Sequence, residues 1–223
     1  MKGISAKTMF ATAALSLAAL GSSSARADGV EVLNEGFDSV GGLSGWDQVN
    51  NSVPPGSGWF QGSLFPAQSG PADSYAAANF LSAANGSGTV DNWLITPTLT
   101  LNGNTVLSFF TRTDGSPGFN DTLQVLFSTA PSIDLSSFTL LTTIGGDAGY
   151  PSDWTQFSTS LDTAGNGRFA FRYVGPADTL NYVGLDTVSV VTAVPEPSSW
   201  LMLALGAGLL PLLGRTPRPT LPR

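Results

Sequence analysis

Apolar and polar residues alternate most sharply at Leu123, Val125 and Phe127, set against Gln124 and Ser128. The same pattern recurs at Phe169, Phe171 and Tyr173, set against Arg168, Ala170 and Arg172. A period of two gives each segment one core face and one wet face, the signature of a half-buried strand. Further short segments of strand-like composition fall at residues 30–34, 58–64, 75–80, 90–95, 105–111, 138–144, 154–160 and 182–191, each bounded by Gly, Pro, Asn or Asp. About ten short strands at close spacing predict an all-β, two-sheet antiparallel sandwich. Gly115-Ser116-Pro117-Gly118, Gly145-Gly146-Asp147 and Ala164-Gly165-Asn166-Gly167 read as turns between them. No internal repeat is visible.

Two apolar runs break this rhythm, one at each end. Lys2 and Lys7 precede an apolar run over 9–20, and the small residues that follow end in Ala25-Arg26-Ala27. A run of about a dozen residues is short of the ~20 that cross a bilayer, and Ala25 and Ala27 form an A-x-A cleavage pattern, so residues 1–27 read as a removable signal peptide. At the other end Pro195, Glu196 and Pro197 lead into an apolar stretch over 200–213, followed by Arg215 and Arg218. The prolines bar a helix from running back into the body, and the arginines favour the cytoplasmic side. Residues 194–223 therefore read as a short transmembrane helix with its flanks, weakened as a lasting anchor by its length and by Gly206, Gly208 and Pro211. Residues 28–193 remain as one folding domain.

Composition then narrows the chemistry. The chain has no Cys and no His, and its only lysines are Lys2 and Lys7. A Ser-His-Asp or Cys-His nucleophile system cannot be built, nor a His/Cys zinc site, nor a disulfide. Within the body the basic residues are Arg112, Arg168 and Arg172, set against many carboxylates. Such a body repels nucleic acid and anionic lipid.

The tail's order of Pro195-Glu196-Pro197, short apolar helix and arginines is similar to the PEP-CTERM sorting signal of Gram-negative bacteria. The chain runs on to Pro219-Thr220-Leu221-Pro222-Arg223, slightly beyond that family's usual stop. The resemblance implies an exosortase-type processing protease as partner. It also implies a transient stay in the inner membrane and delivery to the cell surface or an extracellular, polysaccharide-containing matrix. The body resembles the choice-of-anchor J group, relatives of cleaved-adhesin and MAM domains. The likeness rests on Glu35-Gly36-Phe37-Asp38 with Gly45-Trp46, on Asp91-Asn92-Trp93-Leu94-Ile95-Thr96-Pro97, and on Gly184-Leu185-Asp186-Thr187-Val188-Ser189-Val190. It implies a jelly-roll sandwich and no enzyme activity.

Glu35 and Asp38 follow the first strand and Asp186 opens the last, so the three could bridge a structural Ca²⁺ if those strands are neighbours, as related domains often do; the alternative is carboxylates accepting turn hydrogen bonds. Trp46 and Trp59 lie in or beside Gly/Ser/Pro-rich segments, where exposed rings could stack on sugars, or else fill a core. Trp93 and Trp154 belong to strand-like segments and are expected inside. The arginines could clamp an acidic sugar or form surface ion pairs. Asp162-Thr163-Ala164-Gly165 is read as a turn rather than as a protease motif. Asn50, Asn85 and Asn120 open N-x-S/T triplets and are read as turn residues. These features point first to an exported, non-catalytic structural or adhesive protein. A carbohydrate-binding module for exopolysaccharide comes second, and third a carboxylate-based glycoside hydrolase, which needs two acids facing each other in a cleft.

Overall fold

The computed structural model describes residues 29–194. Ala25 and Ala27 of the signal peptide, and Pro195, Glu196, Pro197, Arg215 and Arg218 of the tail, lie outside the described residues.

Ten strands follow in order: β1 (Val30–Glu35), β2 (Asp47–Asn50), β3 (Phe60–Gln61), β4 (Ala76–Asn79), β5 (Thr89–Ile95), β6 (Leu99–Thr113), β7 (Thr122–Ser128), β8 (Thr139–Gly145), β9 (Thr155–Pro176) and β10 (Tyr182–Thr192). Short 3₁₀ turns are the only helical elements among the described residues. Every pairing is antiparallel. The sheet curls into two halves. One half runs β9, β6, β10, with β4 along the first part of β10, β1 along its second part, and β3 beyond β4. The other runs β2, β5, β9, β7, β8. The predicted all-β antiparallel architecture is thus present, as a curled sheet of the kind that makes a β-sandwich.

The halves close on one apolar core. Alternation along β6 turns Leu101, Leu107 and Phe109 inward, and alternation along β9 turns Phe169, Phe171 and Tyr173 toward them. Phe109 meets Phe171 edge to face at 5.1 Å between ring centres, so the two halves touch directly.

Strand β9 belongs to both halves. Thr155–Gly167 pairs with β6, and from Arg168 onward the partners are β7 and β5. The segments at 154–160 and 169–173, read from the sequence as two strands, are therefore one. Ala164-Gly165-Asn166-Gly167 pairs with Leu99–Asn102 instead of turning, and Asp162 and Thr163 lie in the same strand. The glycine at 167 answers to packing: a Cβ there would stand 2.4 Å from the ring of Phe127. Only a residue without a side chain lets β9 pass beneath that ring. Strand β2 has too little apolar content to be read in advance, and the segment at 58–64 contributes only the two residues of β3.

On the outside of the first half, residues 62–75 fold across the sheet. Tyr75 is the anchor: its hydroxyl accepts from the N–H of Leu64 at 2.7 Å and lies 3.1 Å from the Tyr182 hydroxyl, while Phe65 stacks on its ring at 4.9 Å. Trp154, expected in the core, is half-buried in this outer cluster and donates to Pro66 O at 2.8 Å.

Candidate functional site

Three loops meet at one pole of the domain: residues 80–88 after β4, 114–121 after β6, and 177–181 before β10. Asn181 joins all three. Its carbonyl accepts from Phe80 N–H at 3.1 Å, its side-chain amide donates to Asp114 at 2.8 Å, and its backbone N–H donates to Asp121 at 2.9 Å. Asn120 N–H adds a bond to Thr179 O at 2.7 Å. Loops that would otherwise move independently are thereby fixed to one another.

Between them lies a cleft of about 210 Å³ lined by Phe80, Gly86, Phe119, Ala177, Asp178 and Leu180. Phe119 is 44% exposed, a large apolar ring presented to solvent. Gly86 has φ +64°, and a Cβ on it would stand 2.8 Å from the Phe80 ring, so only glycine lets this loop lie against that ring. Two phenyl rings over an apolar floor with a carboxylate at the rim can take the C–H face of one sugar ring and accept its hydroxyls. The volume is below the ~300 Å³ where drug-sized sites begin, which suits a single ring.

Beneath the cleft Asp121 is buried in the core. It accepts from the Tyr173 hydroxyl, from Thr113 Oγ1 at 2.9 Å and from Asn181 N–H. Burial pushes its pKa up, more than these hydrogen bonds pull it down, and the nearby charge of Asp114 pushes the same way. A raised carboxyl beside a second acid is what a glycoside hydrolase needs, but both oxygens of Asp121 are engaged and only 3% of its surface is open. The pair fastens loops and does not face a cleft.

No family model matches the chain, and no curated protein matches it. Among solved structures it matches cleaved adhesin domains of Lys-gingipain from Porphyromonas gingivalis. The K3 domain is 26% identical with a TM-score of 0.58, covering 74% of this chain and 99% of that one. The K1 domain is 25% identical with a TM-score of 0.58, covering 73% and 98%. The chain resembles a cleaved adhesin domain. The K2 domain of Lys-gingipain, 21% identical over 72% of this chain and 98% of that one with a TM-score of 0.53, shares the fold.

In this adhesin-like body the residues singled out from the sequence fall as follows. Trp59 is 4% exposed in the main core, its indole N–H 3.4 Å from Asn92 O, so it is no sugar platform. The Gly/Ser/Pro-rich flank suggested exposure, but a ring of this size is buried wherever the fold can cover it. Trp46 is half-buried, edge-on to Phe37 at 5.5 Å and packed against the same core. Trp93 is buried, as expected, on the outer face of the second half, beneath the Arg172 guanidinium.

The first and last strands are neighbours, with Glu35 opposite Val188. Yet the three acids beside them do not converge. Glu35 accepts from Phe37 N–H at 2.8 Å, and Asp38 from Ser74 Oγ at 2.6 Å. Asp186 is fully buried and accepts from the N–H groups of Gln68, Ser69 and Thr187. Among the described residues no three acidic side chains are grouped as a metal site. With both Asp186 oxygens taken by N–H donors and one oxygen each of Glu35 and Asp38 already facing a donor, the three do not form a shared cage for Ca²⁺, which takes six to eight oxygen ligands. Burial raises the pKa of Asp186, against the pull of the N–H donors.

Of the arginines, Arg172 alone forms an ion pair among the described residues, with Asp91 at 2.6 Å, and it also donates to Gln124. Arg112 lies over the Phe65 ring at 4.2 Å, and Arg168 Nε is buried with no partner among the described residues. The three do not form a clamp. Sequence reasoning missed Phe80, Phe119, Asp178 and Asn181. A legible signal existed for Phe119: a large apolar residue between Pro117-Gly118 and Asn120-Asp121, in a segment without strand period.

Proposed function

We propose that the protein is an exported, non-catalytic component of a bacterial cell surface or extracellular matrix, structural or adhesive in role. The carrying observation is its likeness to cleaved adhesin domains over essentially their whole length. The body's lack of His, Cys and Lys supports the non-catalytic reading. So do the engaged oxygens of Asp121. The similarity of the body to choice-of-anchor J jelly rolls and of Pro195-Glu196-Pro197 with its tail to PEP-CTERM signals supports a specific route: removal of residues 1–27, a pause in the inner membrane, cleavage by an exosortase-type protease, and release outward. The test is intact mass and fractionation of the protein in its host, beside a strain lacking that protease. A form running from about residue 28 to near residue 194 outside the inner membrane, kept uncleaved in the mutant, is the expected result. Persistence of residues 194–223 in the processing-competent host refutes the route.

The Phe80–Phe119 cleft favours a second reading, in which the domain holds a sugar of the surrounding exopolysaccharide. Calorimetric titration of the protein with that polysaccharide's oligosaccharides tests it. A Kd that Phe119→Ala weakens about five-fold supports the reading, and binding indifferent to Phe119 refutes it.

A further inference from the structure

The Phe80–Phe119 cleft has a sign as well as a shape. The three loops around it carry three acids, Asp114, Asp121 and Asp178. Two are committed within the protein. Asp114 accepts from the Asn181 amide, from Ser116 N–H and from Ser116 Oγ, and Asp121 accepts from Tyr173, Thr113 and Asn181. Asp178 is different: it is exposed at the rim, and among the described residues no hydrogen-bond donor and no cation meets its carboxylate.

No arginine offsets that charge. Arg112 lies over Phe65, Arg172 is paired with Asp91, Arg168 stands opposite Ser128, and none of the three lines the cleft. Residues 29–194 hold fourteen carboxylates against three arginines, so the surrounding field is negative. The walls point the same way, because the face of a phenyl ring attracts ammonium groups. An uncommitted carboxylate beside two phenyl rings in a negative field is the chemistry that holds a protonated amine.

We propose that the cleft selects an amino sugar, a hexosamine unit whose amine is free and protonated, over neutral and acidic sugars; the inference rests on the sugar-holding reading of the same cleft. The apolar face of the sugar packs on Phe119, and its ammonium group pairs with Asp178. A uronate instead brings its carboxylate against Asp178 with no arginine to screen it. The volume of about 210 Å³ suits one ring. A lysine of a second copy is not the occupant, since residues 29–194 contain none.

Calorimetric titration of the full chain with the β-1,4-linked dimers of glucosamine, glucose and glucuronic acid reads the preference directly. The glucosamine dimer is expected to bind about five-fold tighter than the glucose dimer at low salt, the size of one exposed ion pair aided by an aromatic ring. The glucuronic acid dimer is expected to bind more weakly than either, and the differences to shrink in about 1 M salt. Asp178→Asn is expected to bring the glucosamine and glucose dimers to within about two-fold of each other. Asp162→Asn removes the same charge at the other end of the sheet, where Asp162 lies opposite Asn104, and is expected to keep the preference. Equal binding of the glucosamine and glucose dimers overturns this inference and leaves the sugar reading standing, whereas binding of none of the three overturns both. A preference that Asp178→Asn and Asp162→Asn reduce alike reports overall charge and overturns the inference. Nα-acetyl-lysine amide bound as tightly as the glucosamine dimer overturns it too, because an amine without a sugar ring then suffices.

Discussion

The backbone N–H of Asn181 donates to the Asp121 carboxylate across 2.9 Å, and through that bond the pole of the domain is fastened to its core. Asp121→Ala strips acceptors from the Tyr173 hydroxyl and from Asn181 N–H at once. Orphaned buried donors cost about 1–3 kcal/mol each, so chemical denaturation should show a loss of about 3 kcal/mol. Asp121→Asn keeps one acceptor oxygen and removes the buried charge, and its stability near neutral pH should equal or exceed that of the natural protein.

Acidity separates the carboxylates by sign. Asp121 and Asp186 have folded pKa values raised above the ordinary 3.8, chiefly by burial, so the native state holds their protons to higher pH than the unfolded chain does. Their contribution to stability is fully present below 3.8 and is lost as pH rises through the raised values. Asp91 is the reverse. Burial pushes it up, but hydrogen bonds from Arg172, Asn51 and Trp93 and the Arg172 charge outweigh burial, so its contribution is present above 3.8 and is lost as pH falls through the lowered value. Urea midpoints measured against pH should show a shallower decline above 3.8 in Asp121→Asn and a weaker acid-side loss in Arg172→Ala. A parallel shift of either curve counts against the assignment.

Gly167→Ala tests the crossing of β9. Its new methyl meets the Phe127 ring in a packed layer, where overpacking costs about 1–3 kcal/mol. Gly41→Ala is the comparison: nothing lies within 4 Å of its added Cβ, and its melting temperature should hardly move.

Phe119→Ala should lower the melting temperature only modestly, because the ring is already 44% exposed. If the cleft holds a sugar, loss of one stacking face costs about 1 kcal/mol, roughly a five-fold weaker Kd in titration.

Strands with one dry face were legible from alternation alone, and β7 and β10 lie within a residue or two of their expected bounds. The run Gly165-Asn166-Gly167 was not legible, because a turn and a close crossing both demand glycine, and only Phe127, forty residues away in the chain, decides between them. The tryptophans failed as site markers for a related reason. Local composition reports flexibility of the chain around Trp59, whereas its burial is set by the opposite half of the sheet. The loop-fastening role of Asn181 depends on three partners from separate segments and leaves no periodic trace. That the first and last strands lie side by side followed from the resemblance, but the donors filling Asp186 come from residues 68 and 69, which no spacing connects to it.

Strand β10 sets the geometry of presentation. Val30 lies opposite Thr192, so the chain enters and leaves the domain at the same end of that strand. The strand's other end, at Tyr182, abuts the loop that carries Asp178 and Leu180. Eleven residues at about 3.3 Å each, less the length the bulge at Thr187 takes up, separate the two by at most about 36 Å. Any attachment made beyond residue 194 would therefore grip the domain at its base and leave the Phe119 ring at the opposite tip.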